Sequence, residues 1–70
     1  MSVNPLRQRM MEIYPHGMWL EDKMPRDVEI YNWLLENSIE CYDFWDHTRR
    51  LRCYCFKHAR ELVMFKMIWG

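Results

Sequence analysis

Glycine is almost absent from this 70-residue chain, which contains only Gly17 and Gly70. Loops that bind phosphate through their backbone need several closely spaced glycines, so the sequence excludes a P-loop and a Rossmann-type nucleotide site. Long apolar runs are also missing, whereas a membrane-spanning helix needs about 20 apolar residues in succession. The first residues carry no apolar signal segment. We therefore expect no membrane association and a cytoplasmic location.

Cysteine is scarce and odd in number, and three free thiols are typical of a reducing compartment. Cys53, Cys55 and His58 follow a C-x-C-x-x-H pattern that could form a metal site, with His47 or Cys41 as a fourth ligand. Structural zinc sites usually use C-x₂₋₄-C spacing in a turn, whereas Cys53 and Cys55 occupy alternate positions of a predicted strand. The sequence favours buried thiols that line the core, without a metal or another cofactor.

Catalytic patterns are missing as well. No nucleophile elbow and no glycine-rich oxyanion loop accompany the three cysteines and three histidines. A domain of this size can scarcely enclose a substrate pocket. We expect a protein that is not an enzyme.

Charge is divided unevenly along a chain whose formal net charge is zero. Residues 1–46 contain four basic and nine acidic residues, and residues 47–70 contain six basic residues and one acid. The two parts therefore carry formal charges of −5 and +5. Such a division can steer a partner or allow the two parts to pair.

Large side chains are abundant: the chain has four Trp, four Tyr, three Phe and seven Met. Aromatic side chains bury much area per residue, so a short chain can build a core from them. A single small domain cannot bury all eleven aromatic residues, and aromatics are enriched at interface hot spots. We therefore expect a homo-oligomer, most simply a twofold dimer, or a dedicated protein partner.

Two helices are predicted in the first half of the chain. Asn4 and Pro5 form a typical helix start, and Pro15 ends this helix. Pro25 opens a second helix, which Asn37 ends. The apolar residues expected to pack inward are Leu6, Met10, Ile13 and Tyr14 in the first helix and Val28, Tyr31, Leu34 and Leu35, widened by Ile30 and Trp33, in the second.

A β-hairpin is predicted after the second helix. The segments 39–46 and 50–56 are rich in aromatics and alternate in polarity, with Asp46–Arg49 between them. His16 and Gly17 are expected to form a turn, and Trp19 with Leu20 forms a third strand if this short apolar segment joins the sheet.

The residues from His58 to Trp69 return to a helical pattern. The side chains available to pack on the sheet are Ala59, Leu62, Val63, Met67 and Ile68. The predicted fold is a single α+β domain, residues 1–70, with two N-terminal helices, an antiparallel β-hairpin and a C-terminal helix packed on the sheet.

The second predicted strand separates two kinds of side chain. Leu51 and the two thiols share one face, and the basic and aromatic residues share the other. A basic and aromatic strand is the kind of surface that stacks unpaired bases, so single-stranded nucleic acid is the alternative partner. The sequence pI of about 6.8 is below the value above 9 that is common in nucleic-acid binders. We prefer a protein partner, because Arg, Trp, Tyr and Met are enriched at interface cores. The predicted partner-binding residues are Trp45, Arg49, Arg50, Arg52 and Tyr54.

The sequence of the C-terminal third of the chain is similar to that of a known group of small proteins. The segments 53–60, CYCFKHAR, and 65–70, FKMIWG, resemble the ending of small tailed-bacteriophage proteins, in which an aromatic strand runs into F-x-x-x-x-D-A-x-x-F-K-L-x-W-G. Arg60-Glu61 replaces the usual Asp-Ala step. The resemblance implies a phage-encoded, compact α+β protein of the host cytoplasm. Such proteins often bind and redirect host enzymes or antagonise host defence, so it also implies a host protein as partner.

Overall fold

The computed structural model describes residues 5–21 and 23–70. Its elements are α1 (Pro5–Ile13), β1 (His16–Glu21), α2 (Arg26–Glu36), β2 (Cys41–Asp46), β3 (Leu51–Phe56) and α3 (Ala59–Trp69). The strands form one antiparallel sheet in the order β1-β3-β2, so β3 is the central strand. The predicted α+β fold is confirmed, including the third strand. Asn4, the predicted helix cap, lies outside the described residues. No helix within the described part of the chain has the length and apolar content to cross a membrane.

The first strand is longer than the sequence indicated. His16 and Gly17, which were expected to form a turn, are its first two residues and pair with Phe56 and Cys55 of β3. The chain reverses earlier instead, where α1 ends before Pro15. Proline cannot donate the backbone hydrogen bond that would extend a helix, so the break falls at this residue.

The hairpin has the predicted order, with small differences at its ends. The first strand begins at Cys41 rather than Ile39, and the second begins at Leu51 rather than Arg50. Arg50 instead has a positive φ of 58° and completes the connection, in which its N–H donates to the Asp46 carbonyl at 2.9 Å.

Both faces of β3 are covered. Tyr54 and Phe56 form the core with Ile30 of α2 and Phe65 of α3. We call this side of the sheet the helix face. Cys53 and Cys55 lie on the opposite side, the thiol face, and are also buried. The prediction that the two thiols are buried is confirmed.

The helices turn only part of the predicted side chains inward. Ile30, Trp33 and Leu34 of α2 and Leu62 of α3 pack on the core as predicted, together with Phe65 and Trp69 of α3. The prediction was wrong for the remaining residues, which are exposed: Val28, Tyr31, Leu35, Ala59, Val63, Met67 and Ile68. The ring centroid of Trp33 lies 6.2 Å from that of Phe65 and 6.4 Å from that of Trp69, which joins α2 to α3.

The first helix and the residue that follows it contact the thiol face. The guanidinium carbon of Arg7, in α1, lies 4.4 Å from the ring centroid of Phe44. The ring of Tyr14, directly after α1, stacks on that of Tyr42 at 6.3 Å. No side chain of α1 is buried, and Leu6 and Ile13, predicted to pack inward, are exposed.

Candidate functional site

The connection between β2 and β3 is held by one carboxylate. Asp46 Oδ1 accepts hydrogen bonds from the backbone N–H groups of Thr48 at 2.9 Å and Arg49 at 3.3 Å. Asp46 Oδ2 also forms an ion pair with Arg49 Nε at 3.2 Å. Aspartate commonly caps turns in this way because its short side chain reaches the next backbone amides. The turn therefore presents its arginines in a fixed arrangement.

The basic character of the hairpin is partly neutralised by its own acids. Arg52 Nη1 lies 2.6 Å from Asp43 Oδ2, and Arg49 is paired with Asp46. Arg50 is exposed and has no ion pair with any residue in 5–21 or 23–70. Acids of β2 thus balance the charges of Arg49 and Arg52, two of the three arginines.

Trp45 lies directly opposite Arg52 in the hairpin, on the helix face. The Arg52 guanidinium carbon is 6.0 Å from the Trp45 ring centroid, and the indole Nε1–H donates to His47 Nδ1 at 3.1 Å. Trp45 is half-buried. Its ring is therefore oriented by two polar neighbours while part of it still faces solvent.

A cleft of about 190 Å³ separates α2 from the hairpin beside Arg52. Its apolar lining comes mainly from Ile30, Leu34 and Tyr54, and its polar lining includes the carboxylates of Asp27 and Asp43. Small-molecule pockets usually measure about 300–1,000 Å³, so this cleft suits one side chain of a partner better than a substrate. None of the described residues that line the cleft is a cysteine, serine or histidine.

Tyr54 does not lie on an accessible surface. Only 6% of it is exposed, and its ring centroid lies 5.1 Å from that of Phe65 in the core. Tyr54 was predicted to contact a partner together with the arginines, and it shares a face of β3 with Arg52 but is buried. α2 and α3 cover the middle of the helix face, and Tyr54 instead contributes to the inner wall of the cleft.

The predicted site residues are divided between the two sides of the sheet. Trp45 and Arg52 belong to the helix face. Arg49 reaches the thiol face, where its guanidinium carbon lies 4.9 Å from the ring centroid of Trp19. The partly exposed residues Trp19, Trp45, Arg49, Arg50 and Arg52 thus surround the end of the sheet formed by the turn. We call these five residues the hairpin end.

The thiols occupy separate places. Cys53 and Cys55 have Sγ atoms 3.5 Å apart on the thiol face, whereas Cys41 lies on the helix face opposite Phe56. His58 is exposed and precedes α3 as its N-cap residue. Within the described residues, no three His, Cys, Asp or Glu side chains are grouped so that they could hold a metal ion.

The ionisation of the thiols is shifted by their surroundings. Burial raises the pKa of Cys41 to about 12, and the negative charge of Asp43 adds to this effect. The hydrogen bond between Cys53 and Cys55, together with burial, raises the pKa of Cys53. The same hydrogen bond lowers the pKa of Cys55. A thiol that stays protonated is a poor nucleophile and a poor metal ligand, so the raised pKa values of Cys41 and Cys53 favour a packing role for these two residues.

Sequence reasoning missed two parts of this site. Trp19 was assigned only to a short apolar segment, and Asp43 was not recognised as the partner of Arg52. The spacing does contain a signal for the second: Asp43 and Trp45 are alternate residues of one strand, so both must share a face. The hairpin register, which depends on the turn, was needed to place them beside Arg52.

Similarity to known proteins gives no information on the chemistry of the hairpin end. Comparisons with protein-family models, with curated proteins and with solved structures found no match to this sequence or fold. The resemblance of the C-terminal third to bacteriophage proteins therefore remains a prediction.

Proposed function

We propose that this chain is a non-enzymatic protein-binding module whose partner contacts the hairpin end. The observation that supports this most is the combination of Trp45 with three arginines around one ordered turn. Tryptophan and arginine are the residues that most often dominate the binding energy of protein interfaces. Their ion pairs and ring contacts are already formed in the free chain, which reduces the entropy lost on binding.

The charge of the hairpin end indicates what the partner presents there. Among the three arginines of the hairpin end, Arg50 is the one that forms no ion pair with a described residue, so it is suited to a carboxylate of the partner. The neighbouring cleft combines apolar walls with a polar rim, and it suits a neutral side chain with an apolar body. The partner surface in this proposal is therefore acidic around one inserted apolar residue.

The class of partner follows from the resemblance of the C-terminal third. In this proposal the chain is phage-encoded and acts in the host cytoplasm, where it binds and modulates a host protein, as an inhibitor or as an antagonist of defence. The chain also self-associates in this proposal. It does so through its helices, which leaves the hairpin end free for the host protein.

Binding of single-stranded nucleic acid is the second candidate, and contacts on the thiol face favour it. Arg7 lies over Phe44, Arg49 over Trp19, and Lys57 Nζ lies 5.5 Å from the Tyr14 ring centroid. Bases stack on such rings and arginines contact phosphates. These ring faces are already in contact with the chain's own cations, however, and local acids offset two arginines at the hairpin end. We therefore rank this function second.

Affinity capture with and without nuclease separates the two functions. The tagged chain is incubated with lysate of the host, and bound proteins are identified by mass spectrometry. A protein partner should be retained after treatment with DNase and RNase. Loss of all specific partners on nuclease treatment, with binding that weakens steeply as salt is raised, would replace the proposal with the second candidate.

A further inference from the structure

The outer side of α2 is an apolar stripe that no other element in the described part of the chain covers. Val28, Tyr31 and Leu35 follow each other at three- and four-residue intervals, so they lie along one side of the helix. All three are exposed, and Leu35 is 61% accessible. The exposed charged residues beside this stripe, Glu29 and Glu36, are both acidic.

The outer side of α3 is also apolar, and its charges have the opposite sign. Val63, Met64, Met67 and Ile68 are exposed, and Met67 is 81% accessible. The exposed charged residues of this helix are Arg60 and Lys66. The third charged residue, Glu61, is only partly exposed.

These four exposed charges form no ion pair with another residue in the described ranges 5–21 and 23–70. Glu29 and Glu36 are seven residues apart and lie on the same side of α2, whereas Arg60 and Lys66 are six residues apart and lie about 120° apart around α3. The outer sides of the two helices therefore match in length and in apolar character, and their exposed charges have opposite signs.

We infer that this pair of helices is a homodimer interface, in which α2 of one copy packs on α3 of a second copy. In a twofold dimer every contact occurs twice, so α3 of the first copy also packs on α2 of the second copy. The acids on α2 face the bases on α3 in both halves. The exposed apolar stripes form the centre of the interface.

The surface available is adequate for a stable dimer. Standard interfaces bury about 800 Å² on each partner, which is about 15% of the 5340 Å² surface of this chain. Two helices of 11 residues each contribute to it. The inference rests on the self-association proposed above, and it adds the surface and the pairing. It does not depend on what binds the hairpin end.

Complementary charge variants test the pairing directly. In the first variant, Glu29→Lys and Glu36→Lys make the exposed charges of α2 basic. In the second, Arg60→Glu and Lys66→Glu make those of α3 acidic. Sedimentation equilibrium at tens of micromolar should give a mass about twice 8.9 kDa for the unmodified chain and about half of that for each variant alone.

An equimolar mixture of the two variants should recover the dimer. In the mixed pair, the basic α2 of one copy meets the acidic α3 of the other, and the remaining α2–α3 contact keeps its original charges. Like-charged helices face each other only in the two homodimers. A contact between two copies of the same helix would bring like charges together in the unmodified chain and in each variant alone. Loss of the dimer in each variant alone, followed by its recovery in the mixture, therefore distinguishes the proposed pairing from such a contact.

An apolar variant provides a second measurement with a matched control. Met67→Glu should reduce the dimer to monomers, whereas Met11→Glu, at an exposed position of α1, should leave it intact. Far-ultraviolet circular dichroism confirms that each variant is folded.

A monomeric unmodified chain would overturn self-association itself, and a dimer that persists in both charge variants would overturn only the assigned surface. Capture of a host protein by the hairpin end is a separate measurement and is unaffected by either failure.

Discussion

Gly17 lies directly across from Cys55 in the pairing of β1 with β3, and its missing side chain leaves room for two thiols. A Cβ atom at position 17 would lie 3.1 Å from Cys55 Sγ and 3.4 Å from Cys53 Sγ. The two sulfurs are themselves 3.5 Å apart and buried, so neither can easily withdraw. We expect Gly17→Ala to lower the free energy of unfolding by about 1–3 kcal/mol, as in other overpacked cores. Urea denaturation measures this change.

A second substitution provides the control for this effect. Cys55→Ala removes the nearer sulfur, so the cost of Gly17→Ala should be smaller in that background than in the unmodified chain. At unstrained positions, replacing glycine by alanine stabilises proteins by roughly 0.4–1 kcal/mol. A gain of stability from Gly17→Ala would therefore show that the thiols do not restrict this position.

Phe65 is expected to be the most sensitive position of α3. Its side chain is fully buried, and the ring centroids of Tyr54 and Phe56 both lie 5.1 Å from its own. Phe65→Ala should lower the free energy of unfolding by about 3–5 kcal/mol, a large part of the roughly 5–15 kcal/mol available to a domain. Met11→Ala, at an exposed position, should change it by less than about 0.5 kcal/mol. Thermal unfolding that shifts equally in the two variants would contradict this assignment of the core.

Cys41 should make the fold less stable at alkaline pH. Its pKa is raised to about 12 in the folded chain, whereas an unfolded cysteine ionises near pH 8.5. Cys53 and Cys55 oppose each other in this respect, because their shared hydrogen bond raises the pKa of Cys53 and lowers that of Cys55. Above about pH 8.5 the unfolded chain therefore binds fewer protons than the folded one, and stability falls as pH rises. The limiting slope is about 1.4 kcal/mol per pH unit for each thiol.

Urea denaturation between pH 7 and pH 10.5 tests this dependence. Stability should show little thiol-dependent change up to about pH 8 and should then decline, and Cys41→Ala should reduce the steepness of the decline. Alkylation by iodoacetamide at pH 8 should be slow in buffer and rapid in urea, because the thiolate is the reactive form. An unchanged slope in Cys41→Ala would rule out a contribution from this thiol.

The helices show why part of the fold followed from the sequence and part did not. In α2, Val28, Tyr31 and Leu35 have helical spacing, but so have Ile30, Trp33 and Leu34. Periodicity identifies the helix in either case and cannot select which stripe is buried. That choice depends on the neighbour, here Phe65 and Trp69 of α3 against Trp33. The exposed stripe is the same one that the homodimer proposal uses.

At the hairpin end, too, the sequence predicted one part of the structure and could not predict another. Strand alternation placed Arg52 and Tyr54 on one face, which is correct. Alternation says nothing about which elements cover that face, so the burial of Tyr54 could not be predicted. The position of Trp45 opposite Arg52 depends on the hairpin register, which in turn depends on the turn that Asp46 stabilises.

Variants of the hairpin end should weaken partner binding without unfolding the chain. Arg49 and Arg50 are exposed, and Arg50→Glu changes charge with little effect on packing. Arg49→Glu also removes the ion pair with Asp46 and the contact with the Trp19 ring. Arg52 is a poorer choice, since glutamate there would face Asp43. Trp45→Ala should weaken binding about 30-fold or more if this tryptophan is a hot spot, which corresponds to about 2 kcal/mol. Circular dichroism checks that the fold is retained.

The affinity of the purified partner for Arg49→Glu/Arg50→Glu, measured by isothermal titration calorimetry in nuclease-treated samples, tests the proposed function most directly. Arg9→Glu is the matched control, because Arg9 is an exposed basic residue of α1. We predict that the double variant loses measurable binding and that the control binds like the unmodified chain. Equal affinities for the double variant and the unmodified chain would show that the hairpin end is not the surface that binds the partner.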